Sequence, residues 1–553
     1  MALSSITTEL PNSKQIVLTF IYPLLCIVKN MQERSSANPR LTTLLEEKRV
    51  VLICFFLAFG QFQYGYDSAA VSGFQSMPGF LSIYGYKDPD STIGYNISTE
   101  VQRLIQSLMN LGGLVATTVI YFVGDRAGRR TGLWAACLFG IVAISIQIGS
   151  TTMAALYIGR LFLGFSNGLF VAYSVTYISE VAPSHFRGSI VGLVVFQTSF
   201  GALIGILVDN YTNASISRVC YQIPLAVMYI VPACIGIVLI WLPDTPRYYI
   251  SRGREDRAAL SIRKIRGITD NSRIDAEILD IKNAWITEKE LHRGIHLRDM
   301  FSGPDLRRTL ICLGVSIGQT ATGIIFVSGY SVYFYVQARI AQPFTWVMVG
   351  LAISMTGNLA AFPAMRFLPR RVLLISCSAM SAVFMFANAI TYTKSTVGSP
   401  GAGKALIGLN IFYTWFYGIG QGPVLWAIAG EVPSQRLRAQ TVALANGINF
   451  VFSWLCQFCT PYFINPDSLN WGPKYCYIWG GSNAVLAIWV FLFVPETKGR
   501  SLEQLDELFE KGVSTRKFSS HVTERQAVDA DKTMAHQFAG TPVDKSVMGF
   551  GKT

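Results

Sequence analysis

Two charges in this sequence stand where charge is expensive. Asp67 falls inside an apolar run near 50–70, and Arg160 inside another near 153–178. An ionised side chain at membrane depth costs several kcal/mol unless it is paired. The two are therefore expected to pair, carboxylate against guanidinium. Such a pair can be switched, because a proton on the carboxylate frees the guanidinium and alters how two helices pack. A static buried ion pair is the plainer alternative. It explains the acid less well, since apolar side chains of similar volume often serve stability equally.

A second set of charges lies at the ends of apolar runs. Asp125-Arg126-Ala127-Gly128-Arg129-Arg130 follows the second run, with Gly128 suited to a tight turn. Glu180 and Arg187 stand seven residues apart after the fourth run, and Glu431 and Arg438 repeat that spacing after the tenth. These charges can bridge one another and latch one state of the molecule. Simple enrichment of basic residues on one membrane side would need only Arg129 and Arg130. It would leave Asp125, Glu180 and Glu431 without a reason. In the second half Arg366 and Pro369 stand where Asp and Gly would complete the turn before Arg370-Arg371, so a lopsided latch is expected.

Other chemistries find little support. Most of the ten cysteines lie within apolar runs, Cys456 and Cys459 sharing one, which suits packing rather than metal binding. The five histidines lie outside the runs, with His185 at a helix start. No metal, cofactor or enzyme activity is implied. No GxxxxGK[ST] loop occurs, which argues against ATP-driven pumping. The net charge of +13 raises the question of nucleic acid. Much of that charge flanks apolar spans, where cytoplasmic Lys and Arg are expected, so no nucleic-acid partner is inferred.

The elements that must position these residues are membrane spans. Of 553 residues, 51% are hydrophobic and 14% charged, against about 25% charged in soluble domains. A span needs roughly 20 mostly apolar residues. Runs of that kind lie near 50–70, 103–123, 131–150, 153–178, 188–209, 222–242, 309–336, 344–366, 371–392, 404–429, 439–463 and 476–494. Backbone polar groups in hydrocarbon must be satisfied internally, so runs this long are helices. The expected organisation is a cytoplasmic tail (1–49), a first six-helix half (50–246), a cytoplasmic helical linker (247–308), a second half (309–494) and a cytoplasmic tail (495–553) whose end is disordered. An extra apolar stretch, 16–28, reads as a signal-like segment, an interfacial helix or the product of an early start codon; Met31 is the expected start. Even span number and the basic blocks put both termini inside. The sequons at Asn96 and Asn213 then fall outside, as glycosylation requires.

An internal repeat supports two halves. Glu180-Val-Ala-Pro and Glu431-Val-Pro lie 251 residues apart, and Pro243-Asp-Thr-Pro-Arg247 and Pro495-Glu-Thr-Lys498 lie 252 apart. Parallel halves fit a transporter that rocks about a central site. Together with Gly65-Tyr66-Asp67, Gly159-Arg160, the loop from Asp125 to Arg130, Gly422-Pro423-Val424-Leu425-Trp426 and Pro495 to Arg500, these motifs make residues 50–510 resemble the sugar porter family of the major facilitator superfamily, most of all its fungal members.

The resemblance implies an all-α membrane protein with the major facilitator fold, twelve transmembrane helices in two six-helix halves. It implies a monomeric, multi-pass plasma-membrane carrier in the lipid bilayer. Asp67 would be the protonation site and Arg160 its partner, coupling protons to a small-molecule substrate, a sugar or polyol (hexose, polyol or small glycoside). Gln319 and Trp426 would bind the substrate, with Tyr64 and Tyr330 as aromatic neighbours. Several positions depart from the family. Thr320 replaces a glutamine, Ile325 an asparagine, and Val195 stands where helix 5 should carry the glutamine found two residues on at Gln197. Two residues turn a helix by about 200°, so Gln197 reaches the site only if the register shifts. A less polar pocket suggests a larger or less hydroxylated substrate. Export of a fungal metabolite and sensing without transport are the alternative functions.

Overall fold

The computed structural model describes residues 48–89, 93–182, 187–267, 270–291, 296–395 and 400–523. The apolar stretch 16–28, Met31 and the end of the C-terminal tail lie outside them.

Long apolar segments become helices because only internal hydrogen bonding satisfies their backbone in hydrocarbon. Six fill the first half: α1 (Lys48–Phe74), α2 (Thr99–Ala127), α3 (Arg129–Gly149), α4 (Met153–Val181), α5 (Arg187–Thr212) and α6 (Val219–Trp241). The second half repeats the set: α7 (Gly303–Gln337), α8 (Pro343–Phe367), α9 (Arg370–Lys394), α10 (400–431), α11 (Arg438–Ile464) and α12 (Cys476–Phe493). Among the described residues, eleven segments are continuous enough and apolar enough to cross a membrane. The twelfth, α10, is interrupted by a π-helical turn at Tyr417–Gln421, just before Gly422-Pro423. Proline cannot donate to the preceding turn, and the widened turn accommodates the loss.

Helix α7 is also broken. Gly323 adopts φ +89, a left-handed conformation that a side chain would resist. The carbonyl freed at Thr322 is not orphaned: the Tyr413 hydroxyl donates to it at 2.9 Å and the Asn483 amide at 2.8 Å. Asn483 in turn accepts from Gln421 at 2.7 Å, and Gln421 also bonds Ser378 and Ser381. One buried polar cluster therefore holds both helix irregularities to α9 and α12.

Within the first half, small residues let backbones touch. A Cβ at Gly65 would fall 1.9 Å from the Thr198 carbonyl oxygen, and one at Gly201 2.1 Å from that of Phe62. These contacts press α1 onto α5 and leave another face of α1 for α4. Across the halves, α1 meets α7, α2 meets α11 and α5 meets α8. A short helix (Pro78–Tyr84) and a hairpin of β1 (Tyr86–Lys87) and β2 (Tyr95–Asn96) cap the far end of α1. At the opposite end, linker helices Pro246–Ser251, Glu255–Arg266 and Asn271–Leu291 bury a small core of their own around Ile250, Ile262 and Ile274.

The C-terminal tail does not begin in disorder. Leu502–Glu510 is a helix whose Leu505, Leu508 and Phe509 are buried. Arg308, at the start of α7, forms an ion pair with Asp506 and donates to its carbonyl at 2.9 Å.

Gly65→Ala should push α1 off α5 and destabilise the fold by about 1–3 kcal/mol. Gly408→Ala, in open space on α10, should not. Thermal midpoints of the two purified variants check this.

Candidate functional site

Asp67 and Arg160 are together, and both are almost wholly enclosed, at 0% and 1% exposure. Arg160 Nη1 donates to Asp67 Oδ1 at 2.6 Å. The second carboxylate oxygen accepts from the Asn167 amide at 3.2 Å, from two turns further along α4. The rest of the guanidinium is held by α2: Nε donates to the Ile105 carbonyl at 3.0 Å and Nη2 lies 3.4 Å from Met109 Sδ. Asn167 was not expected. Its Oδ1 has no partner, so the amide can turn to accept from a protonated Asp67.

The charged ends of the helices build two matching networks. In the first half, Arg129 Nε and Nη2 donate to Glu180 at 3.1 and 2.8 Å. The backbone N–H groups of Arg129 and Arg130, at the start of α3, both donate to Asp244 at 2.9 and 3.1 Å. A carboxylate at a helix N-terminus meets unpaired N–H groups and the positive end of the dipole. The second half repeats each contact. Arg370 pairs with Glu431, and the N–H groups of Arg370 and Arg371 donate to Glu496, each at 3.0 Å. Arg438 donates to the Gly430 carbonyl at 2.5 Å.

The expected weakness of the second copy is thus corrected. Pro369 is extended (φ −60, ψ 137) and starts α9 without the left-handed glycine found at Gly128 (φ 80). Asp244 and Glu496 were visible only as part of the Pro-Asp/Glu-Thr repeat, 252 residues apart. The side chains of Asp125 and Arg187 lie outside the described residues. Among the described residues, the Arg–Glu pairs and carboxylate contacts named above each join residues of the same half.

The opposite end is closed between halves. Gln106 donates to the Gly329 carbonyl at 2.9 Å, Asn110 to Gln457 at 2.5 Å, and Thr99 to Asp467 at 2.5 Å. Beneath this seal lies a cavity of about 100 Å³ among α1, α5, α7, α8 and α10. Its wall is uncharged and rich in hydroxyls, with Ser72, Ser331, Ser354 and Asn410 beside the rings of Trp346 and Tyr335. Asn410 donates to the Tyr335 hydroxyl at 2.9 Å. Small-molecule sites typically measure roughly 300–1,000 Å³, so a substrate of that size needs the helices to part.

The expected substrate residues surround this wall without forming it. Gln319 donates to the Tyr417 hydroxyl, and half-buried Tyr64 is an electrostatic neighbour of Tyr417. Gln197 is 1% exposed and Val195 45%, so the glutamine is the inward residue of that turn. Tyr330 is fully enclosed, and its hydroxyl donates to the Gln457 carbonyl at 2.9 Å. Trp426 is 46% exposed. None of these five is part of the cavity wall. The wall serines were missed because hydroxyls barely interrupt an apolar run.

The two sequons differ. Asn96 is buried; its amide donates to Asp88 at 3.0 Å and its oxygen accepts from Tyr333 at 3.1 Å. A glycan on that amide would compete with its bond to Asp88. Asn213 is half-buried and donates to the Asn210 carbonyl at 2.7 Å.

Comparison with known proteins follows the same lines. Residues 53–509 match the Sugar (and other) transporter family. The chain is 28% identical to a major facilitator-type transporter of Aspergillus rugulosus, over 84% of this chain and 88% of that one. It is 29% identical to the galactose transporter of Saccharomyces cerevisiae, over 84% and 82%. The fold is that of the xylose transporter XylE from E. coli in its inward open conformation, with TM-score 0.68 and 22% identity over 83% of this chain and 99% of that one.

Removing one member of the buried pair strands the other. Asp67→Ala or Arg160→Ala should each destabilise by about 3–5 kcal/mol. Asp67→Asn with Arg160→Gln should recover much of that loss, which thermal unfolding of the four proteins measures.

Proposed function

The chain belongs to the sugar (and other) transporter family, and from that membership we propose that it is a proton-coupled symporter of a neutral sugar, polyol or small glycoside, working by alternating access. The observation that carries this reading is the enclosed triad of Asp67, Arg160 and Asn167. In hydrocarbon the pair is held by mutual neutralisation. A proton on Asp67 cancels the attraction, Asn167 turns its oxygen to the new O–H, and Arg160 keeps only its contacts to α2. The tie between α1 and α4 then slackens.

That change reaches the substrate through α1, which carries Asp67, the adjacent Ser68 and, a little over a turn further, Ser72, both serines being part of the cavity wall. An uncharged wall that sets hydroxyls and one amide among aliphatic side chains suits a neutral molecule with both hydroxyl and C–H surface, and two rings offer faces for its C–H groups. The break at Gly323 supports movement of the cavity-lining part of α7 over its fixed part. We place the end carrying Gly128 and Pro369 in the cytoplasm, following its basic residues. The halves are then joined outside, while each Arg–Glu pair of the inside lies within one half. Closing the inner end would bring those networks together as the latch.

In a hexose-uptake-deficient yeast, expression should confer accumulation of at least one radiolabelled sugar or polyol, and an uncoupler should abolish the accumulation. Asn410→Leu should raise KM roughly tenfold, the effect of losing one well-placed hydrogen bond of about 1–2 kcal/mol. Accumulation indifferent to the uncoupler would exclude proton symport.

A further inference from the structure

A second acid lies within the spans and has no part in the triad. Asp209 stands on α5, three residues before its end at Thr212, and is 0% exposed. Among the described residues neither of its oxygens has a hydrogen-bond partner. Its carboxyl is pressed onto α1, where a Cβ at Gly73 would fall 2.0 Å from Oδ2. The hydroxyls of Ser72 and Ser76, on either side of Gly73, are likewise buried without partners. The end of a helix carries negative partial charge, so the backbone around Asp209 opposes an ionised carboxylate.

Among the described residues, the neighbours of Asp209 offer no compensating cation. Tyr66 approaches from α1 and Cys220 from α6. From α8 come Phe344, whose ring would lie 3.1 Å from a Cβ at Gly73, and Thr345, which donates to Asn210 at 3.3 Å. That last bond joins the two halves. Asp209 therefore sits in the seam that closes the outer end, beside Ile206 and Ser72 of the cavity wall. When α1 and α5 part from α8, water reaches it; when they close, it is sealed in.

We infer that Asp209 is a second proton-binding site, loaded from the outer side, whose protonation permits the outer end to close. This rests on the reading of the chain as an alternating-access carrier. Sealing an unpaired carboxylate in hydrocarbon is costly, and sealing the neutral acid much less so. The proton comes from outer water onto an Asp209 oxygen and returns to the same side on reopening. It therefore sets how closure depends on outer pH and does not add to the protons transported. Asp67 differs, because Arg160 neutralises it when the proton is absent.

Two measurements on the purified protein test this without a transported substrate. Infrared spectra at neutral pH should contain a carboxylic-acid carbonyl band that Asp209→Asn removes and that Asp67→Asn and Asp209→Glu retain. Labelling of a Ser72→Cys variant by an impermeant thiol reagent from the outer side of proteoliposomes should quicken by roughly tenfold or more from pH 5 to pH 8, the span over which an ionising acid must shift closure by at least one decade. The Asp209→Asn background, corrected against the same thiol, should be slow and flat. A wild-type spectrum without the band would overturn the inference. So would a pH response that survives in Asp209→Asn, or one that follows sodium at fixed pH. Failure of uptake with normal spectra and labelling would instead count against the transport reading alone.

Discussion

A carboxylate and a guanidinium enclosed away from solvent hold each other in place only as long as both are charged. Asp67 and Arg160 meet that condition at 2.6 Å, and the surrounding packing follows from it. Their approach needs α1 and α4 close together, and glycine contacts elsewhere on α1 set its other side against α5. Ile105 and Met109 fix the far side of the guanidinium to α2. Three helices are thereby arranged around a charge that a single proton can cancel. No comparable sensitivity exists in an apolar helix contact, which responds to area rather than to charge.

The two ends of the bundle divide the work. Each half keeps its own Arg–Glu pair and its own carboxylate at a helix start, which tie the helices of that half to one another. Between halves, ties are made at the end bearing Thr99 and Asp467, and midway along α5 and α8 Asn358 donates to Ser199 at 2.8 Å. The irregular parts of α7 and α10 belong to the same plan. Their freed backbone groups are satisfied by Tyr413, Asn483 and Gln421, which lets a bent helix survive in hydrocarbon without an unpaired carbonyl.

Much of this was legible in the residues. The twelve spans emerge within a few residues of the expected runs because hydropathy and backbone satisfaction leave little choice. Asp67 and Arg160 stood out because charge inside an apolar run is rare. Other features carried no such mark. Asp209 closes the run 188–209 and reads as a boundary charge, although the helix continues beyond it and buries it. The cavity serines look like ordinary polar residues in a membrane helix, and only the folded arrangement gathers them. Gln197 and Val195 are adjacent in any sequence pattern, and the helical turn alone decides which one faces inward. The second-half network was underestimated because Pro369 starts a helix by a different backbone route from Gly128.

In the mechanism we propose, a proton neutralises Asp67, loosens its tie to Arg160 and so drives the carrier. Its most direct test is the proton flux itself, recorded with an interior pH dye in proteoliposomes when substrate is added outside. The wild type should acidify the lumen, while Asp67→Asn should exchange labelled for unlabelled substrate without any pH change. Substrate-driven acidification persisting in Asp67→Asn would contradict it.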